Sequence, residues 1–265
     1  MKLAYHTILK LQTIFAGISA FSNKNGVFMH PTFIQKKAFT LAETLITLSI
    51  IGVVAAMTVP TLQAKYTEQI TVNKVKKFYS LLSNAYVKAI AENGHPDTWG
   101  IDGTGKEQGQ KLFEILVAPS FKIAKDCGFD NTKKCMTDSD YKWLNGNNIR
   151  NWYAGNSGGM YYYKIVLEDG SSVWFRGDQD VYINAFIDVN GPRTPNQWGK
   201  DLFSFAVKDG KLIPSGTPGY RNSFDDACNS KTSGFGCAAW VVYKHNLEYL
   251  NCDDLKWNGK QKCSK

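Results

Sequence analysis

The sequence predicts an α+β fold: a long N-terminal helix packed on an antiparallel β-sheet, with a disulfide-rich C-terminal region. Three observations predict it. The run Phe39 to Leu62 is apolar apart from Glu43 and small hydroxyl residues, and it passes without a loop into an amphipathic pattern that stops at Gly94 and Pro96. Between residues 160 and 215, stretches rich in Tyr, Val, Ile and Phe alternate with Asp-Gly turns. All six cysteines follow the apolar run.

The apolar run comes first. At 1.5 Å per residue, about twenty helical residues cross a hydrocarbon layer of about 30 Å, so residues 39–62 read as the transmembrane half of the helix. Five lysines (Lys2, Lys10, Lys24, Lys36, Lys37) and no acid precede Phe39. By the positive-inside rule that flank stays in the cytoplasm and the remainder is exported. Glu43 is the exception within the span, and an acid in such a place marks a functional position that needs a cation. A cut between Ala38 and Phe39 would create an α-amine four residues before Glu43, on the same helical face, in one chain or between neighbours.

The stretch Lys36-Lys37-Ala38-Phe39-Thr40-Leu41-Ala42-Glu43-Thr44-Leu45 resembles the processing site of type IV pilins and type II secretion pseudopilins. That resemblance implies cleavage before Phe39 by prepilin peptidase, N-methylation of Phe39, and assembly into a helical filament through Glu43. Gly52 and Pro60 fall where the family often carries helix-weakening residues; Ala38 stands where it usually has Gly. The implied partners are other pilin or pseudopilin subunits, prepilin peptidase, the inner-membrane assembly platform and the lipid bilayer. The implied place is the inner membrane, single-pass with the C-terminal domain exported, then a periplasmic or surface filament. Residues 1–38 read as the leader. A start at Met29 gives a short basic leader of the family's kind, while the apolar patch from Ile14 to Phe21 also has the look of a secretory signal.

Residues 63–94 read as the amphipathic half of the helix; beyond Pro60 the apolar residues Leu62, Tyr66, Ile70, Val75, Phe78, Leu82, Ala85 and Ala89 recur mostly every three or four positions. The exported domain is expected to cover that stripe. Pro60 lacks an amide hydrogen and crowds the carbonyl of Ala56, which predicts a kink or local melting. Residues 95–159 read as a helix-to-sheet loop region with a short helix from Lys106 to Ala118, a loop between Cys127 and Cys135, and an Asn- and Gly-rich surface loop from Leu144. The sheet, 160–215, comprises Met160 to Leu167, Ser171 to Arg176, Val181 to Asp188, Leu202 to Val207 and Lys211 to Pro214. In the tail, 216–265, the apolar piece Ala238 to Tyr243 fits a helix or a strand.

Cys127, Cys135, Cys228, Cys237, Cys252 and Cys263 read as disulfides, because an even count on the exported side suits an oxidising compartment. Spacing favours the local bridges 127 with 135, 228 with 237 and 252 with 263, out of fifteen pairings, without settling them. Metal-bound cysteines are disfavoured, since the chain has no C-x-x-C. Asp188, Asn190 and Asp201 gather oxygens on a Gly-bearing loop, which makes calcium the candidate cofactor; the other reading is a turn capped by its own Asp and Asn side chains. Gly199 stands where an EF-hand would need Glu.

Trp143, Trp152, Tyr153, Trp174, Trp198 and Trp257 form either a core or an exposed aromatic surface, and the core reading is favoured. No enzyme is expected: His95 and His245 lack Ser and Asp partners in a recognisable pattern, and Asp178 and Asp180 read as a solvated turn. Of the formal net charge of +8, five units precede Phe39, leaving +3. Nucleic acid is therefore not an expected partner. Two other functions fit the sequence: a membrane-tethered ligand-binding protein, or a minor pilin for DNA uptake.

Overall fold

The computed structural model describes residues 40–130, 132–137, 140–149, 161–178, 183–208, 210–220 and 222–264. Two compact units divide the chain between Val53 and Val54. Helix α1, Leu41–Asn93, runs through Pro60 as helix, without the local melting expected there. Its end follows from Gly94, whose φ of 77° supplies the left-handed turn and whose N–H reaches the Ile90 carbonyl at 2.9 Å.

In the first unit, the described part of α1 is exposed throughout, including Leu45, Leu48 and Ile51. The second unit contains the rest of α1 and a six-stranded antiparallel sheet in the order β1-β4-β5-β6-β7-β8. The strands are β1 (Ile123–Gly128), β4 (Tyr163–Leu167), β5 (Ser172–Arg176), β6 (Ile183–Asp188), β7 (Leu202–Lys208) and β8 (Lys211–Pro214). A separate two-stranded ribbon pairs β2 (Tyr141–Lys142) with β3 (Asn148–Ile149). Helix α2, Lys106–Leu112, continues as a π-turn through Phe113–Val117. The tail contributes α3 (Phe224–Ala227) and α4 (Ala238–Lys244), so the apolar piece near residue 240 is helical.

Strand alternation sorts the sheet into two faces. Ile165, Val173, Ile187 and Phe203 stand opposite one another across β4 to β7 and pack with Val75, Phe78, Leu82 and Ala85 of α1 in the main core. On the other face, Trp174 and Phe186 join Tyr162, Trp198 and Leu202, with Tyr141 and Ile149 of the ribbon over them. Both faces are covered, which is why β6 is buried at every position. Trp174 and Trp198 are fully buried, Trp143 stacks on Trp198 at 6.0 Å, and Trp257 lies edge-on to Trp240 at 6.4 Å. Trp152 and Tyr153 lie outside the described residues, as do Asp180, Val181 and Met160.

Two expectations change. The predicted stripe on the second half of α1 is not one stripe: Leu62, Tyr66 and Ile70 are 70%, 67% and 39% exposed, whereas Val75, Phe78, Leu82, Ala85 and Ala89 are buried. The step from Ile70 to Val75 is five residues, which at about 100° per residue turns the side chain by about 140° onto another face. β1 is the second change, an edge strand inside the expected loop region 95–159. It pairs with β4 through register shifts that break any regular alternation.

Disulfides join Cys127 to Cys135, Cys228 to Cys237 and Cys252 to Cys263. Two of these bridges lie within the tail and the third outside it, so hydrogen bonds tie the tail to the rest. Glu68 of α1 accepts the Leu247 N–H at 2.8 Å, and the buried Tyr249 hydroxyl donates to the Gly199 carbonyl at 2.7 Å. Gly216, at φ 101°, lies so close to Gly236 that a Cβ there would collide with the Gly236 carbonyl.

Candidate functional site

Ala38 and Phe39, the residues flanking the expected cut, lie outside the described residues. Thr40 and Glu43 are described, and they form a reciprocal capping box. The Thr40 N–H and hydroxyl donate to Glu43 Oε2 at 2.8 and 3.0 Å, and the Glu43 N–H donates to the Thr40 hydroxyl at 3.2 Å. The carboxylate thus sits over the N-terminus of α1, where first-turn N–H groups and the helix dipole favour an anion. Among the described residues, Oε1 accepts nothing. The signal for this box was present in the spacing Thr40-x-x-Glu43, which the reading of Glu43 as a partner for a chain amine passed over.

Beyond the box, α1 contains an 18-residue window apolar enough to cross a membrane, none of it buried in the protein. Its hydroxyls satisfy themselves: Thr44 donates to the Leu41 carbonyl, Ser49 to Leu45 and Thr58 to Val54. That leaves an apolar surface interrupted only by Glu43. At Gly52 a Cβ would meet nothing within 4 Å, so neither lipid nor a packed helix would be held off by a side chain there. Pro60 lies inside the helix without ending it.

The structure brings Asp188, Asn190 and Asp201 together, at the end of β6 and the start of β7. Asp188 accepts the Tyr141 hydroxyl at 3.0 Å and the Asn190 N–H at 3.2 Å. Asp201 accepts the N–H groups of Asn196 and Gln197 at 2.7 and 2.6 Å and the Asn190 side-chain amide at 3.0 Å. All four carboxylate oxygens are engaged, and Asn190 turns its nitrogen, not its oxygen, towards Asp201. These residues fit a closed loop network; a calcium cage would need the Asn190 amide to rotate and donors to leave. Among the described residues, no three His, Cys, Asp or Glu side chains are grouped to hold a metal. Burial, then the nearby Asp201 charge, pushes Asp188 well above the ordinary carboxylate range, and burial raises Asp201 as well.

Comparisons with known proteins agree with the N-terminal geometry. Residues 35–59 match the Prokaryotic N-terminal methylation motif, the signal motif of type IV pilins and pseudopilins, which is that of a structural, pilin-like substrate of prepilin peptidase. Residues 61–217, more than half of the chain, match a Family of unknown function (DUF6613). No curated protein and no solved structure matches the chain. With its exposed apolar helix and its acid at the capping position, the chain belongs to the family of unknown function DUF6613 and bears the N-terminal methylation motif of type IV pilins and pseudopilins.

Proposed function

We propose that the chain is a structural subunit of a type IV pilus or of a type II secretion pseudopilus. Prepilin peptidase cuts between Ala38 and Phe39 in the inner membrane, Phe39 is N-methylated, and the subunit is drawn into a helical filament. The observation that carries this reading is the exposed apolar segment of α1 with Glu43 at its start, within the methylation motif. In the filament core, burial and dispersion hold these helices together.

Glu43 sets the register. In the single chain, Oε2 is taken by Thr40, and Oε1, which accepts nothing among the described residues, receives the new amine of Phe39 in a neighbouring subunit. A subunit placed out of step would leave that charge unpaired among apolar helices, which is costly. Gly52 and Pro60 weaken α1 where it must adjust between lipid and filament.

The test is Glu43→Ala in full-length protein, with sheared filaments quantified by immunogold labelling and immunoblot. Filament incorporation is expected to fall to background while membrane level and domain stability hold. Unchanged incorporation overturns the register role. N-terminal sequencing of mature protein should begin at Phe39, and a longer N-terminus in assembled filaments would remove the processing step. A tethered ligand-binding protein would tolerate Glu43→Ala, and a DNA-uptake minor pilin would bind DNA in a salt-dependent way.

A further inference from the structure

The exposed residues Leu62, Tyr66 and Ile70 recur at four-residue steps and so form one ridge along α1. They lie in the second unit, past Pro60. No charged residue interrupts the ridge, and beside it Gln69 and Asn73 hydrogen-bond to each other at 3.1 Å, which lowers the polar cost of covering it. Among the described residues nothing covers it.

The same stretch of α1 also borders a groove of about 750 Å³. Its apolar walls are Pro60 and Ala64 of the helix, Val189 and Pro195 of the loop after β6, and Leu247 and Leu250 of the tail. Leu250 is itself 38% exposed. Ala64 and Thr71, which face this groove, point roughly 140 to 160° away from Tyr66. Ridge and groove therefore lie on nearly opposite sides of one helical stretch, at the same height. A chain cannot fill its own groove with its own ridge.

We propose that the ridge of one copy seats in the groove of a second copy. Because the two surfaces differ and face apart, the contact is heterologous: each seated copy leaves a ridge free at one side and a groove at the other, which is the kind of contact an open filament repeats. The ridge carries no charge, and the groove, although Lys65, Glu68, Lys200 and Asp201 also line it, offers a mainly apolar surface, so the pair suits burial. A lipid surface could cover the ridge but would leave the groove unexplained. This inference rests on the filament reading above and adds to it a contact at and beyond the end of the membrane-spanning segment.

The experiment uses full-length protein in its own membrane. The six native cysteines are paired, so Tyr66→Cys with Leu250→Cys introduces the only free thiols among the described residues. Mild oxidation should give a ladder of covalent multimers on a non-reducing gel, whereas either single variant stops at dimers. Val87→Cys with Leu250→Cys, which places the thiol elsewhere on α1, should give no ladder. Filaments without a ladder overturn the ridge-in-groove contact and leave the filament reading standing. A ladder in membranes that never yield filaments keeps the contact and overturns that reading; neither product overturns both. Tyr66→Lys guards against a folding artefact: it should cut filament yield at least tenfold with membrane level and thermal midpoint unchanged. Normal yield, or loss of membrane level, overturns the contact.

Discussion

The two ends of α1 use the same residue types in opposite ways. Between Val72 and Ala89 the side chains of Val72, Val75, Phe78, Leu82, Ala85 and Ala89 are buried in the core, with Phe78 edge-on to Phe205 at 5.3 Å, while Val87 alone of the apolar residues there is exposed. From Leu41 to Ile70 comparable side chains lie open, Leu41 at 78% and Met57 at 73% exposure. Apolar residues gain by leaving water wherever a cover exists. One end finds its cover inside the molecule; the other must find it in lipid or in other copies. Stability should therefore be concentrated at one end of the helix and assembly at the other.

The sharpest way to break this contrast is to truncate one side chain in each region. Phe78→Ala removes a buried ring and should lower domain stability by about 3 to 5 kcal/mol in chemical denaturation. Leu48→Ala, at an exposed position, should leave the denaturation midpoint unmoved and reduce filament yield. Gly216→Ala should also destabilise the domain strongly, because the added Cβ meets the Gly236 carbonyl from a left-handed backbone. It should leave membrane insertion intact, since insertion depends on the other end.

Smaller effects sharpen the same division. Replacing Cys228 and Cys237 together by Ala opens a short loop and should cost about 2 to 3 kcal/mol, measured by thermal unfolding without reductant. Asp188 and Asp201 have folded pKa values above the unfolded value of 3.8. The folded state then holds protons more tightly than the unfolded one. Their contribution is fully favourable below the unfolded value and is lost as pH rises through the raised folded values. Asp188→Asn should flatten that part of the profile, read as thermal midpoint against pH. Calcium should give neither heat nor a thermal shift on the same protein; a saturable signal would show that Asn190 can turn its oxygen inward.

How much of this was legible depended on whether the signal was local. Asp169-Gly170 between two β-rich runs marked a hairpin, and β4 pairs with β5 as that turn requires. The local bridges, Cys127 with Cys135 among them, join residues already near in the chain. β1 could not be seen from its residues, because Ile123-Ala124-Lys125-Asp126-Cys127-Gly128 has no alternation and its partner is forty residues away in sequence. The ridge on α1 was hidden by a phase slip of one residue between Ile70 and Val75. At the N-terminus, the motif that marks Glu43 drew attention to an absent amine and away from Thr40, three residues upstream.

Lys74 gives the contrast a mechanical side. Its ammonium group reaches the carbonyls of Val189 and Asp169 at 2.6 and 3.1 Å, while Glu68, on the preceding turns, grips the tail at Leu247. Traction applied along the helix would reach the loop, the hairpin and the tail at once, by separate attachments. Links arranged in that way share a load instead of passing it along, so the loss of any single one should leave the domain fastened to the helix that pulls it.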